Sequence, residues 1–177
     1  MQIIKYGVTL ESIKASELEL IRNWRNSEYV RPFMNYREYI TPEMQQRWFN
    51  NLDHTANLYF MIIKEEKKIG VINLKDIHTD LRTAEAGIFI GDPDYMDSMV
   101  PFLATVSLME FAFDSLHLTM LKAKINKQNS KVILFNKSIG YRKAEEQEDD
   151  IFQYYTVTSE RFYNATEKIR GTLDKMK

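Results

Sequence analysis

The sequence predicts a single α+β domain. Apolar residues alternate with a period of two along four stretches of the chain, 57–64, 68–79, 82–90 and 119–126. Segments with helical spacing flank these stretches, which favours helices layered on a sheet. The chain has 177 residues, of which 44% are apolar, and that is enough for one full hydrophobic core.

The N-terminal part predicts one strand and two helices. Residues 3–13 alternate weakly and predict a first strand. The run Ser16-Glu17-Leu18-Glu19 fits a capping box at the start of a helix that ends near Asn26. An irregular, aromatic-rich segment follows. Thr41-Pro42 then begins a second helix, because proline suits the first helical position.

The middle of the chain predicts an antiparallel meander followed by a crossover. Stretches 57–64, 68–79 and 82–90 are its three strands, separated by short polar turns. A helix at about 99–116 joins strand 82–90 to strand 119–126. Two strands joined by one helix should be parallel neighbours with a right-handed connection.

The C-terminal part predicts a helix, a hairpin and a last helix. Asn129 begins the first of these helices, and Gly140 is its expected stop. Residues 141–144 and 151–158 predict a closing hairpin around an acidic tip. The order is therefore βααβββαβαββα. We divide the chain into a domain at 1–158 and a helical extension of that domain at 159–177.

Composition excludes several kinds of function. The chain has no cysteine, which removes disulfides, zinc-thiolate sites and a cysteine nucleophile. A net charge of -1 gives no basic field for nucleic acid, and the N-terminus has no apolar segment for a signal peptide or a membrane span. His54, His78 and His117 lie on different elements without metal spacing. We expect a cytoplasmic protein that binds no metal, nucleic acid or membrane.

Four stretches, in their order and spacing, resemble the GNAT superfamily of acyl-CoA-dependent N-acyltransferases. They lie within about residues 7–157 and read IRNWRNSEYVRPFM, KKIGVINLKDI, EAGIFIGDPDY and NKQNSKVILFNKSIGYRKAE. They are most similar to the branch of ribosomal-protein N-terminal acetyltransferases and of amino-sugar N-acetyltransferases of the pseudaminic acid pathway. The resemblance implies a mixed, mostly antiparallel twisted sheet with helices on both faces, a splayed parallel strand pair and a C-terminal helix.

The same resemblance implies acetyl-CoA as cosubstrate. The family holds the pantetheine arm between splayed strands, here 82–90 and 119–126, and the pyrophosphate on the N-terminus of the following helix. The cofactor-binding residues that this implies are Ile88, Phe89, Ile90, Ser98, Met99, Val100, Phe102, Asn129 and Phe135.

The loop before that helix departs from the family pattern. The family's cradle reads Arg/Gln-x-x-Gly-x-Gly/Ala, and Met96, Met99 and Pro101 stand at these positions here. Methionine adds bulk where glycine allows close approach, Pro101 removes an N–H donor, and Asp97 adds a negative charge. Two readings stay open. One is a working site with weak or unusual CoA binding, and the other is a vestigial site in which Asp97 or Ser98 caps the helix.

The resemblance implies direct attack of an amine on the thioester in a ternary complex, without an enzyme nucleophile. Glu85 is the catalytic candidate, a base acting through a water, although it also fits a solvent-facing strand residue. Asn129 fits both a pantetheine ligand and a helix N-cap. Many relatives place a tyrosine general acid where Asn136 stands, and an amide has no titratable proton.

The acceptor side is expected at the Trp24-Arg25-Asn26 segment. The substrate-binding candidates are Arg25, Asn26, Phe33 and Tyr36, because arginine pairs with phosphate or carboxylate and aromatic rings stack on a sugar or base. Trp24 also fits the buried face of its helix.

Two hypotheses follow. The first is an N-acetyltransferase that transfers an acetyl group from acetyl-CoA to the primary amine of an amino-sugar nucleotide or a peptide N-terminus. The second is a catalytically weak or inactive GNAT-fold binding protein that has lost its CoA pyrophosphate site. A homodimer is left open.

Overall fold

Eight strands form one mixed sheet in the computed structural model, which describes residues 1–147 and 151–175. They are β1 (Gln2–Lys5), β2 (Val8–Ser12), β3 (Leu58–Lys64), β4 (Lys67–His78), β5 (Thr83–Ile90), β6 (Met120–Asn126), β7 (Arg142–Lys143) and β8 (Phe152–Thr158). Their spatial order is β1-β2-β3-β4-β5-β6-β8-β7. The β5–β6 pair is parallel and the other neighbours are antiparallel. The predicted mixed, mostly antiparallel sheet is confirmed.

Helices cover both faces of this sheet, as predicted. They are α1 (Leu18–Asn26), α2 (Pro42–Asn50), α3 (Val100–Glu110), α4 (Ser130–Ser138) and α5 (Ser159–Asp174). One face carries α1 and α2 over a small core that includes Ile21, Met61 and Val71. The other carries α3, α4 and α5 over the main core. Among the described residues, none of the helices combines the length and apolarity that a bilayer span needs.

The N-terminal prediction of a single strand at 3–13 is wrong, because β1 and β2 form a hairpin there. Tyr6 and Gly7 make its turn, with φ of 54° and 69°. Two successive positive φ values suit the turn type that matches strand twist. The predicted capping box at Ser16 is also wrong. The Glu17 carboxylate instead accepts a hydrogen bond from the backbone N–H of Lys14, at 2.8 Å.

Two other helix boundaries that were predicted from capping signals are confirmed. The Thr41 hydroxyl accepts from the N–H of Met44 at the start of α2. At the end of α4, Gly140 has φ of 97°, and the N–H of Tyr141 donates to the carbonyl of Asn136 at 3.0 Å. The helix predicted at 99–116 instead ends as an α-helix at Glu110 and continues as one π-helical turn, Phe111–Ser115. The acidic tip predicted at 145–150 lies partly outside the described residues.

A buried carboxylate joins α3 to both ends of the chain. Glu110 is only 3% exposed. Its Oε1 accepts hydrogen bonds from the Tyr6 hydroxyl at 3.0 Å and from Arg170 Nε on α5 at 2.6 Å, while its Oε2 lies 2.5 Å from Lys5 Nζ. Phe162 of α5 packs on Phe113, with ring centroids 5.6 Å apart. The hairpin and the last helix are therefore both fixed to α3.

The packing of Gly91 against Trp24 yields a stability prediction. A Cβ atom at Gly91 would lie 2.0 Å from Trp24 Cδ2, whereas one at Gly171 of α5 would meet nothing within 4 Å. We expect G91A to lower the free energy of unfolding by about 2–3 kcal/mol through overpacking. The control G171A should raise it by about 0.5–1 kcal/mol, because alanine suits a helix interior better. Urea unfolding of both variants checks this, and equal midpoints would contradict it.

The contacts of Tyr6 yield a pH prediction. Burial, together with the charge and hydrogen bond of Glu110, raises the pKa of Tyr6 from its ordinary value of 10.0 to about 12. The protonated phenol therefore stabilises the fold fully below about pH 10, and this contribution is lost as the pH rises towards 12. We expect the difference in unfolding free energy between wild type and Y6F to shrink across that window in denaturant titrations. A difference that does not change with pH would refute it.

Candidate active site

Strands β5 and β6 are parallel neighbours that separate after a short contact. They pair only at Thr83–Met120, Ala84–Leu121 and Glu85–Lys122, although β5 continues to Ile90 and β6 to Asn126. Both strands stay paired on their outer sides, β5 with β4 and β6 with β8. The predicted splayed pair is thus confirmed, and it leaves a wedge-shaped gap between two intact halves of the sheet.

Hydrogen bonds at the two ends of β5 show which of its backbone groups face this gap. The N–H of Gly91 donates to the carbonyl of Ile69 on the β4 side, at 2.8 Å. The carbonyl of Arg82 accepts from the N–H of Thr119 on the β6 side, at 2.7 Å. Because backbone groups along a strand alternate between its two neighbours, the even-numbered residues of β5 face β6.

Ile88 and Ile90 therefore direct their N–H and C=O groups into the gap. Phe89, which the sequence also predicts as a cofactor ligand, directs its backbone to β4, where it pairs with Val71. Its side chain faces the α1–α2 side of the sheet. The predicted segment is thus in the right place, but Phe89 contributes a side chain to the opposite face rather than a backbone group to the gap.

The start of α3 keeps free N–H donors despite its lack of glycine. The Ser98 hydroxyl donates to the carbonyl of Tyr95 at 2.8 Å and accepts from the N–H of Val100 at 3.2 Å. In the part of the chain that the structure describes, no acceptor is found for the N–H groups of Met99 and Phe102. Ser98 thus caps one donor and leaves two that can meet an anion.

An ion pair connects the loop before α3 with α4. The Lys131 ammonium contacts the Asp97 carboxylate, and both side chains are largely exposed. Deeper between the same helices, Phe102 and Phe135 pack edge to face with centroids 6.2 Å apart. Both the loop before α3 and α3 itself thus contact α4.

Asn129 and Asn136 have different uses. The side-chain oxygen of Asn129 accepts from the N–H of Val132 at 3.2 Å, so Asn129 is the N-cap of α4. No partner is found for its amide nitrogen among the described residues, which leaves that donor for a ligand. Asn136 instead donates to the carbonyl of Val132 within its own helix, at 2.9 Å.

A cavity of about 300 Å³ opens on the α1–α2 face of the sheet. It is lined by Ile21, Arg25, Tyr36, Ile40, Met44, Gln45, Trp48, Tyr59, Val71 and Phe89. Arg25 is its cation: the guanidinium lies 5.9 Å from the Phe89 ring centroid and makes one long hydrogen bond, 3.4 Å, to the carbonyl of Tyr36. Its Nε is buried without a partner, and burial lowers the pKa of Arg25. Such a group is suited to an anionic ligand.

Of the other predicted acceptor residues, one lines the cavity, one lies outside it and one holds a neighbouring segment in place. Tyr36 lines the cavity, whereas Phe33 is exposed and outside the lining. The amide of Asn26 accepts from the N–H of Ile40 at 2.9 Å and donates to the carbonyl of Ile40 at 2.8 Å, so it holds the aromatic segment in place. Trp24 packs on Gly91, as expected of a residue on the buried face of its helix.

Glu85 lies on the same face as Phe89, next to the point where the strands separate. Its Oε1 is 2.8 Å from Lys75 Nζ on β4. Burial lowers the pKa of Lys75, but the hydrogen bond and charge of Glu85 outweigh this, so the pKa is raised on balance. Glu85 also lines a second recess of about 320 Å³, with Asp76, His78, Thr83, Ala84, Lys122, Ala144, Glu146, Tyr154 and Thr156. Glu85 is thus a half-buried, paired carboxylate rather than a freely solvated one.

Gly87 lies between Phe89 and Glu85 on this face of β5. A Cβ atom there would lie 3.0 Å from Asn73 Oδ1, so the Asn73 amide covers the glycine. The prediction from sequence missed both Asn73 and Lys75. The alternation of β4, which puts these two residues on the face of Val71, was the signal that points to them. Among the described residues, no cluster of side chains suits a metal ion.

Two arginines of α1 yield a contrasting stability prediction. Arg22 is buried and donates to Glu19, to the Tyr39 hydroxyl and to the carbonyl of Ile40. We expect R22M to lower the free energy of unfolding by about 2 kcal/mol, because these acceptors lose a charged donor. R25M should leave it unchanged or raise it by up to about 1 kcal/mol, since it removes a poorly paired buried charge. Denaturant unfolding measures both, and equal losses would count against a ligand-binding role for Arg25.

Comparisons with known proteins agree with this geometry. Residues 8–142 match the model of the acetyltransferase (GNAT) domain. Acetyltransferase PseH of Campylobacter jejuni is 30% identical over 122 residues, which are 68% of this chain and 74% of that protein.

Solved structures share the fold at lower identity. Spermidine N-acetyltransferase from Vibrio cholerae, in complex with CoA and spermine, is 16% identical with a TM-score of 0.77, over 89% of this chain and 99% of that one. Campylobacter jejuni PseH is 23% identical with a TM-score of 0.65, over 86% and 99%. A domain from Methanocaldococcus jannaschii is 20% identical with a TM-score of 0.75, over 85% and 97%. The chain belongs to the GNAT acetyltransferase family and is an acyltransferase.

Proposed function

We propose that this acyltransferase moves an acetyl group from acetyl-CoA to the primary amine of a small acceptor that carries an anionic group. An amino-sugar nucleotide fits best, and a peptide N-terminus is the second candidate. One observation carries the proposal: the gap between β5 and β6 opens beside a cavity that holds the poorly paired, buried Arg25. A buried guanidinium with an unused N–H favours a phosphate or carboxylate.

Acetyl-CoA would enter from the gap side. The pantetheine arm would pair with the backbone of Ile88 and Ile90 like an added strand, with the Asn129 amide nitrogen as a further donor. The pyrophosphate would meet the free N–H groups of Met99 and Phe102 at the start of α3. Pro101 removes only one of several donors there, so we favour a weakened site over a vestigial one.

The acetyl carbon would lie near Gly87, between Phe89 and Glu85 and beside the Asn73 amide. The amine would attack this carbon from the α1–α2 side, forming the C–N bond as the C–S bond breaks. A backbone N–H at Ile88 would stabilise the oxyanion. Glu85 would take the amine proton through a water, while Lys75 holds that carboxylate in place. Solvent would protonate the departing thiolate, whose ordinary pKa is about 8.5.

We further infer a cytoplasmic location, because a chain without cysteine fits a reducing compartment. A homodimer stays a prediction. The Vibrio cholerae spermidine N-acetyltransferase has a structure described as dodecameric, and sedimentation of this protein would measure its own state.

Calorimetric titration tests cofactor binding. We expect acetyl-CoA and CoA to bind with a dissociation constant of about 100 μM or tighter, given the free donors beside the gap. The absence of any heat at millimolar CoA would refute the proposal.

Acetyl transfer to a panel of amines with and without an anionic group tests the chemistry. We expect E85Q to lower kcat by about 10²–10³-fold with CoA affinity unchanged, because it removes the base. R25M should mainly raise KM, by about 10-fold or more, for anionic acceptors only. E160Q, at an exposed position on α5, is the control and should match wild type. Equal turnover by E85Q and wild type would exclude Glu85 as the base.

A further inference from the structure

We infer that Asp97 and Lys131 form an electrostatic gate at the phosphate end of the cofactor cleft. In this gate Lys131 exchanges the Asp97 carboxylate for a phosphate of CoA. The inference rests on the proposed function, since it concerns how acetyl-CoA would bind. It assigns a phosphate-binding role to Lys131 and an opposing role to Asp97.

The first support is where this ion pair lies. Asp97 belongs to the loop that leads from β5 into α3, and Lys131 is in the first turn of α4. α3 follows β5 and α4 follows β6, so both helices begin beyond the separated ends of these strands. The free N–H groups of Met99 and Phe102 follow Asp97 within a few residues. A phosphate held by these donors would therefore lie next to both charged side chains.

The second support is the contrast with the other carboxylates of the loop. Asp92 pairs with Lys67 at 2.7 Å and caps the N–H of Asp94, and its side chain is 13% exposed. Asp94 lies 4.0 Å from the same lysine. Both belong to the β4 side of the loop, whereas Asp97 pairs with a residue of α4. Asp97 is 79% exposed and Lys131 73%, so either side chain can move away without leaving a buried charge.

The third support is that the helices meet beneath the ion pair through apolar contact. Phe102 and Phe135 pack edge to face and are less exposed than Asp97 and Lys131. This contact does not depend on charge and would persist when the ion pair opens. Opening would therefore change the electrostatics of the cleft without separating the two helices.

The charges predict opposite effects of removing the two side chains. An exposed ion pair is weak, so a phosphate carrying one or two negative charges can compete with a carboxylate for Lys131. The Asp97 carboxylate would then repel that phosphate at short range. Removing the carboxylate should strengthen CoA binding, and removing the ammonium should weaken it.

The test is a calorimetric titration of CoA, dephospho-CoA and pantetheine into D97N, K131M and wild type at low salt. We expect D97N to bind CoA about 10-fold more tightly and K131M about 10-fold more weakly. The differences in CoA affinity between each variant and wild type should shrink at high salt, because exposed charges are screened. Pantetheine has no phosphate, so its affinity should be the same for the three proteins.

Two control variants remove a similar charge from the same elements. D94N alters a carboxylate of the same loop, and K137M alters a lysine near the other end of α4. Both should bind CoA within about twofold of wild type. Dephospho-CoA lacks the 3′-phosphate and so shows which phosphate is bound. If D97N and K131M still differ from wild type in their affinity for it, Lys131 binds the pyrophosphate. If that difference disappears, Lys131 binds the 3′-phosphate.

The outcomes separate the gate from the proposed function. If CoA binds wild type, D97N and K131M equally, the gate is wrong and cofactor binding stands. If D97N alone binds CoA measurably, the gate is supported. If none of the proteins binds CoA, D97N included, both the gate and the use of acetyl-CoA are wrong.

Discussion

The rest of the structure depends on the separation of β5 from β6 after Glu85. Buried backbone groups normally need partners, and a sheet that opens inside the protein leaves two rows of them unpaired. The opening is tolerable here because each strand keeps its outer neighbour, so neither half of the sheet is weakened. It also decides where α3 and α4 begin, since each follows the diverging end of one strand. A fold with this gap favours an extended ligand that carries its own hydrogen-bonding groups.

The alternation of residues along β5 directs its backbone groups and its side chains in different directions. Its even-numbered residues turn backbone groups towards the gap. Its odd-numbered side chains Glu85 and Phe89 line the two recesses on the other face, with Gly87 between them. A shift of the register by one residue would exchange these orientations and put isoleucine side chains on the face of the two recesses. The long pairing with β4 thus does more than stabilise the sheet, because it fixes which atoms of β5 face the gap and which face the recesses.

The sequence predicts the parts of this arrangement whose signals are local. Strand alternation predicts the meander. A glycine such as Gly140 ends a helix because, without a Cβ atom, it adopts a positive φ free of steric clash. The hairpin turn at Tyr6 escapes prediction because tyrosine is an uncommon residue for positive φ. The ion pairs of Lys75 with Glu85 and of Asp97 with Lys131 are not predicted from the sequence either. Each joins residues from different elements, so only the strand register and the helix packing reveal them.

Glu110 has a consequence for how the chain folds. Its hydrogen bonds to Tyr6 and Arg170 span 104 and 60 residues of sequence. Contacts of such separation carry a large loop-closure entropy, which is typical of late and slow steps in folding. During synthesis Tyr6 emerges long before Arg170, so the carboxylate keeps an incomplete set of partners until α5 has left the ribosome. We therefore expect α5 to dock on α3 late in folding.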